Sequence, residues 1–254
     1  MLLAVDMGNT NITLGAYDGD TLVFTSRLAT DMTRMSDQYA IEIKDILSLY
    51  NVSEDNFEGA VISSVVPPIT EAIASAVEKV VGKKPLIIGP GVKTGLNIKI
   101  DNPAQLGADL VAVSVAALEK YPCPNVVCDL GTASTVFVLD KEGCMIGGVI
   151  YPGLSTSFEA LAKKTAQLPM ISFEAPDKVV GRNTIESMQS GLINGAAAML
   201  DGLICRIERE LGQKVTAIAT GGFSRKIIPH CFVDFIYDEN LVLEGLKIIF
   251  EKNR

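Results

Sequence analysis

The sequence predicts an α/β protein of two related lobes facing a shared cleft. Three observations carry this expectation. The first is the N-terminal stretch Leu2 to Thr13, LLAVDMGNTNIT, in which an apolar run delivers Asp6 into a Gly8-Asn9-Thr10 bend and a second run follows. The second is a copy of it: from Val126 the chain reads VVCDLGTASTVFVLDKEG, which lays Asp129 on Asp6, Gly131 on Gly8 and Thr132 on Asn9. The third is the series of alternating strand and helix patterns after each copy, since a repeated supersecondary unit reads as a repeated lobe. The duplication divides the chain into lobes spanning 1–117 and 118–254.

Each hairpin carries chemistry in its bend. Glycine admits close backbone approach and conformations closed to other residues. Asn9 and Thr10 offer amide and hydroxyl donors, and successive backbone N–H groups form an anion-binding concavity. Asp6 cannot attract phosphate itself, so it fits such a site if a hard cation such as Mg²⁺, directly or through its waters, lies between them. The bland alternative is an ordinary hairpin turn.

In chain order, Thr21 to Leu28 extends the first hairpin to a meander. Ser36 to Tyr50 has helical spacing, with Ser36 as N-cap. Glu58 to Val66 reads as a buried strand stopped by Pro67-Pro68, which open a helix from Ile69 to Val81. Pro85 to Ile88 is a short strand leading into a turn-rich loop, Gly89 to Leu110, and then an apolar helix to Lys120. Asp109 sits at or just inside that helix N-terminus, either as an N-cap, the commoner case, or as a general base aimed at an acceptor hydroxyl. Ile146 to Gly153 is a strand in which Gly147-Gly148 marks close contact or a bulge. Leu154 to Leu168 is helical, closed by Pro169. A loop with Gly181-Arg182-Asn183-Thr184 precedes a long helix to Leu211 carrying Gly191, Gly195 and three alanines, small residues suited to tight packing within the chain or across a dimer. Lys214 to Ala219 is a strand entering Thr220-Gly221-Gly222, and Leu241 to Lys252 closes the chain as an amphipathic helix.

Composition bounds the partners. The 254 residues are 48% apolar with net charge −8 and no basic run, which argues against nucleic acid. Five cysteines without close metal-ligand spacing read as reduced, mostly buried residues. The first apolar run stops at Asp6 with no basic segment before it, which excludes a signal peptide, and no apolar stretch is long enough to span a membrane. A cytoplasmic protein is expected.

Taken together, Asp6 to Thr10, Asp129 to Thr135 and Thr220-Gly221-Gly222 resemble the two phosphate motifs and the adenosine motif of the acetate and sugar kinase, heat-shock chaperone and actin superfamily. Within it, PGVKTGLNI, DNP, GAD, GGVIYPG and GRNT resemble type III pantothenate kinase over nearly the whole chain. The resemblance implies ribonuclease H-like (actin-like ATPase) lobes, mixed sheets flanked by helices. It implies that Asp6, Met7, Gly8, Asn9, Thr10, Asn11, Ile12 and Thr13 cradle the ATP phosphates with Mg²⁺ at Asp6, and that Thr132 adds a phosphate contact. Gly221 and Gly222 would approach the adenosine. Asp129 would bind a monovalent cation, potassium or ammonium.

On the acceptor side, Asp109 would be the base, with Ile100, Gly107, Ala108, Leu110 and Thr184 lining a pantothenate pocket near a homodimer interface. Two positions depart from the family pattern. Leu110 stands where arginine is usual and Ile100 where tyrosine is common, both on the acceptor side. The activity implied is ATP-dependent phosphorylation of pantothenate to 4'-phosphopantothenate, the first step of coenzyme A biosynthesis. The alternatives are a kinase of this fold acting on another small alcohol and a non-catalytic nucleotide-binding or transcriptional accessory protein.

Overall fold

In the computed structural model, which describes residues 1–165 and 167–254, the chain forms two units. One comprises Met1–Leu96, Asp101–Ala116 and Asn240–Arg254; the other comprises Asn97–Ile100 and Ala117–Glu239.

The first unit is built on β1 (Leu2–Met7), β2 (Asn11–Asp18) and β3 (Thr21–Ala29), an antiparallel meander. Then come α1 (Ser36–Leu49), β4 (Gly59–Ser64), α2 (Pro67–Val81) and β5 (Leu86–Ile87), giving the mixed sheet β3-β2-β1-β4-β5 with β4 parallel to β1. Because side chains alternate along a strand, Leu3, Val5, Met7, Ala60 and Ile62 share one face. There they are buried with Tyr39 and Ile43 of α1 and Ile73 and Val77 of α2, each large side chain contributing roughly 1.5–3 kcal/mol. Helix ends follow local chemistry. Pro67 and Pro68 occupy the first turn of α2, where their missing N–H groups cost nothing, and Gly82 ends it at φ 70°. Ser36 is not the cap of α1; Met35 holds that place, and the Gln38 side chain accepts its N–H at 2.8 Å. Helix α3 (Ala108–Lys120) starts in this unit.

The second unit repeats the plan. It contains β6 (Asn125–Leu130), β7 (Ala133–Leu139), β8 (Met145–Pro152), α4 (Leu154–Lys164), α5 (Thr184–Leu211), β9 (Thr216–Thr220), a short α6 (Ser224–Ile227) and β10 (Ile236–Tyr237). The sheet order β10-β9-β6-β7-β8 mirrors the first, with β6 antiparallel to β7 and parallel to β9. Strands β1 and β6 share one burial pattern. The β7–β8 register slips after Val138, where Gly147 has φ 147°, and a Cβ on Gly148 would overlap the Val136 carbonyl. The expected 154–168 helix ends at Lys164; Ala166 lies outside the described residues. Gly191, Gly195 and Gly202 of α5 face open space, since a Cβ on any of them would meet nothing within 4 Å.

The last helix, α7 (Leu241–Lys252), corrects the expected division of lobes. It belongs to the first unit, not to a continuous 118–254 lobe. The reason is steric fit to the sheet face opposite α1 and α2. Side chains on Gly15 and Gly59 would overlap Leu243 and Phe250, so these glycines leave the space that α7 fills. On α7 itself, a Cβ on Gly245 would overlap the Ala112 carbonyl of α3. Gly245→Ala is therefore expected to destabilise the protein by about 2 kcal/mol, because overpacking a backbone contact at the upper end of its roughly 1–3 kcal/mol range outweighs the roughly 1 kcal/mol gained in helix propensity; urea denaturation measures it.

Candidate active site

At the C-terminal end of β1, the Asp6 carboxylate lies on the α7 side of the sheet and accepts a hydrogen bond from Ser63 Oγ of β4. The bend after it is held from within. Gly8 N–H donates to the Asn11 carbonyl at 3.0 Å, Thr30 Oγ1 to the Gly8 carbonyl at 2.7 Å and Thr30 N–H to the Thr10 carbonyl at 3.0 Å. This refines two expectations. Gly8 has no positive φ, and its N–H is spent inside the turn rather than on an anion. Asn9, Thr10 and Asn11 are exposed, whereas the Met7 and Ile12 side chains are fully buried, so those two residues can offer a ligand only backbone atoms.

Asp109 is brought to the same end of this sheet. Val65 N–H donates to the Met7 carbonyl at 3.1 Å, and the Val65 side chain lies 3.4 Å from where a Gly107 Cβ would stand. A Cβ on Gly107 would also overlap Asp109 Oδ1. The Gly107 carbonyl accepts the Val111 N–H at 3.1 Å, so Gly107 holds the cap position and Asp109 is the second residue of α3. Asp109 Oδ1 accepts the Leu110 N–H at 2.8 Å. Burial raises the Asp109 pKa above the ordinary carboxylate value, and the backbone N–H groups of Leu110 and Asp109 pull it down by less. A desolvated carboxyl at a helix N-terminus, beside an acid-and-turn motif, has the character of a proton acceptor.

In the second unit, Asp129 is the penultimate residue of β6, beside β9. Gly221 there has φ 90°, and a Cβ on it would overlap Asp129 Oδ1 and stand 2.7 Å from Leu130 N. Phe223 N–H donates to the Leu130 carbonyl at 3.0 Å, tying the Thr220-Gly221-Gly222 turn to the acid. Thr132 is exposed in the β6–β7 bend. Its carbonyl accepts Gly153 N–H at 3.0 Å and Thr156 Oγ1 at 2.7 Å. A side chain on Gly153 would overlap the Gly131 carbonyl, which requires glycine there.

Thr184 lies elsewhere in this unit. It lines a cavity of about 670 Å³ between α4 and the start of α5, with Leu161, Leu168, Met188, Leu192 and Arg182. Asn183 caps α5, accepting the Glu186 N–H at 2.9 Å while Glu186 accepts the Arg182 N–H at 2.8 Å. Ile100 is half-buried, two residues beyond the bridge between Ile98 and Met145.

Thr30, Ser63, Gly153 and Thr156 were not legible as site residues. Each reaches its partner only through strand pairing or a loop return. The Asn183–Glu186 capping pair was readable from its spacing. Among the described residues no cluster of three or more His, Cys, Asp or Glu side chains could hold a metal. A cation here would rest on single carboxylates with phosphate oxygens and water, the usual manner of Mg²⁺.

Duplicated mixed sheets, each carrying an acid-bearing strand into a turn, give the chain the actin-like ATPase and sugar kinase fold. In agreement, a Baf-family protein of Campylobacter jejuni superposes with a TM-score of 0.64 at 18% identity, covering 99% of this chain and 98% of that one. The activator of the 2-hydroxyisocaproyl-CoA dehydratase from Clostridium difficile, solved with bound ADPNP, gives 0.56 at 10% identity over 99% and 95%. The family model for type III pantothenate kinase matches residues 2–206. A type III pantothenate kinase of an Exiguobacterium species is 43% identical over 254 residues, all of both chains. The chain belongs to the type III pantothenate kinase family.

Proposed function

We propose that this protein transfers the γ-phosphoryl group of ATP to the primary hydroxyl of pantothenate, giving 4'-phosphopantothenate at the entry to coenzyme A biosynthesis. The observation that carries the reading is the placement of Asp109, buried at the start of α3, beside the end of the strand that bears Asp6. Family membership over the full length supplies the acceptor.

In this reading the Asp6–Thr13 turn holds the ATP phosphates through exposed Asn9, Thr10 and Asn11. Thr132 adds a phosphate contact, and the Gly221-Gly222 backbone lies against the adenosine. Asp6 would hold Mg²⁺, directly or through its waters, and the ion would supply charge neutralisation at the phosphates. Asp129 would hold a monovalent cation, potassium or ammonium. Asp109 orients the acceptor hydroxyl and receives its proton as the oxygen attacks in line, so that catalysis rests on positioning and charge stabilisation. Gly107, Ala108, Leu110, Ile100 and Thr184 bound the acceptor. With Leu110 in a motif position where arginine is usual in the family, Arg182, which lines the cavity with Thr184, and Lys93 are the candidates for the pantothenate carboxylate.

We further propose a cytoplasmic homodimer that binds neither nucleic acid nor membrane. Exposed Ile146, Val149 and Ile150 on edge strand β8, and the open glycines of α5, support a contact between copies. The net charge of −8 disfavours nucleic acid, and among the described residues no helix is long and apolar enough to cross a membrane.

The test is coupled ADP release from ATP and Mg²⁺, with and without pantothenate. Pantothenate-dependent release in potassium or ammonium is expected, falling to a minor fraction in sodium. Release with other small primary alcohols but not with pantothenate would instead assign a different acceptor to the apolar Leu110 and Ile100.

A further inference from the structure

We infer that Ser63 is a positioning residue for the nucleotide site, fixing the Asp6 carboxylate in the orientation that receives the Mg²⁺ of Mg·ATP. The inference rests on the kinase reading for its ligand, but its geometry stands alone.

Strands β1 and β4 run parallel with Asp6 and Ser63 in register. Alternation puts Ala4, Asp6, Val61 and Ser63 on the face that α7 covers, opposite Val5, Met7 and Ile62. Ser63 is 0% exposed, so its hydroxyl cannot turn to bulk water, and a buried donor needs an acceptor. That acceptor is Asp6 Oδ1. A hydrogen bond to an ionised carboxylate is stronger and more directional than one between neutral groups. It restrains rotation about χ2 and helps hold the carboxylate plane before any ligand arrives. The neighbouring Ser64 does other work: its Oγ lies 2.7 Å from Thr70 Oγ1 and accepts the Val66 N–H at 3.2 Å, at the start of α2.

The second unit shows the same juxtaposition. Asp129 of β6 is in register with Thr220 of parallel β9, and Thr220 is only 4% exposed. A buried hydroxyl residue thus faces the acid at the corresponding position of both sheets. The duplicated site consists of an acid, a turn and a hydroxyl neighbour that neither hairpin contains.

The test is calorimetric titration of ATP at a series of Mg²⁺ concentrations, which needs no acceptor, with thermal melts of the same proteins. Ser63→Ala is expected to raise the Mg²⁺ concentration for half-maximal ATP binding about tenfold, the scale of a lost hydrogen bond to a charged group. ATP affinity without Mg²⁺ should stay near the wild-type value. Ser63→Thr, which restores the hydroxyl and copies Thr220, should return the Mg²⁺ dependence toward wild type. An unchanged Mg²⁺ dependence in Ser63→Ala would overturn the inference. So would a loss of ATP affinity that is equal with and without Mg²⁺, or a Ser63→Thr protein that melts like wild type yet keeps the defect. If wild type binds Mg·ATP in this pattern but releases no ADP with pantothenate, the acceptor assignment fails and the role of Ser63 stands.

Discussion

Asp109→Asn is expected to lower kcat by about 10²-fold or more, the scale of general-base contributions, while leaving ATP binding near normal. Asparagine preserves the size of the side chain and an oxygen that can accept the Leu110 N–H, so the start of α3 survives. What is lost is the capacity to take a proton. The pH profile gives a second readout. Burial raises the Asp109 pKa, so the acidic limb of kcat/KM for pantothenate should lie above the ordinary aspartate value of about 4, with activity falling as pH drops through it.

Stability should move the other way. A carboxyl whose folded pKa is raised contributes stability that is fully present below its unfolded pKa and is lost as pH rises through the folded pKa. Above that window the ionised Asp109 is a cost to the fold, relieved by the neutral amide. The variant should therefore melt at or above the wild-type temperature near pH 8. A melting temperature well below wild type, with kcat retained, would return Asp109 to a purely structural role.

Gly221→Ala is expected to destabilise the protein by about 2–4 kcal/mol and to weaken ATP binding by at least tenfold. Two costs add. A non-glycine residue held at φ 90° is strained by about 1–3 kcal/mol. The new methyl would also press on Asp129 Oδ1 and stand 2.7 Å from Leu130 N, atoms that can move only by shifting β6 or turning the acid. On the proposed role of Asp129 in holding a monovalent cation, turning it should also reduce the stimulation by potassium relative to sodium. Gly222→Ala is the internal control for stability, because a Cβ there would meet nothing within 4 Å and its φ is not positive. Chemical denaturation and ATP calorimetry on the two variants separate a conformational need for glycine from mere proximity to the site.

The sequence by itself determined what is local in the chain. The two acid-and-turn hairpins were legible because strand, bend and returning strand are contiguous, and antiparallel pairing across a short bend follows from the turn. The start of α2 was equally legible, since Pro67-Pro68 can neither extend β4 nor disturb a first helical turn. The duplication was readable because it repeats residue types at fixed spacing.

Tertiary structure alone decided whatever depends on parallel neighbours and returning segments. The register that sets Ser63 on Asp6 and Thr220 on Asp129 spans long stretches of chain, and nothing within EGAVISSVV distinguishes the serine that meets the carboxylate from the one that starts α2. The two-residue strands β5 and β10 pair only because a sheet edge is already present. The return of α7 to the first unit was hidden because its amphipathic pattern shows that one face is buried but not against what. Gly15, Gly59 and Gly245 supply that answer, as side-chain-free gaps that only the close packing of α7 on the first sheet and α3 requires.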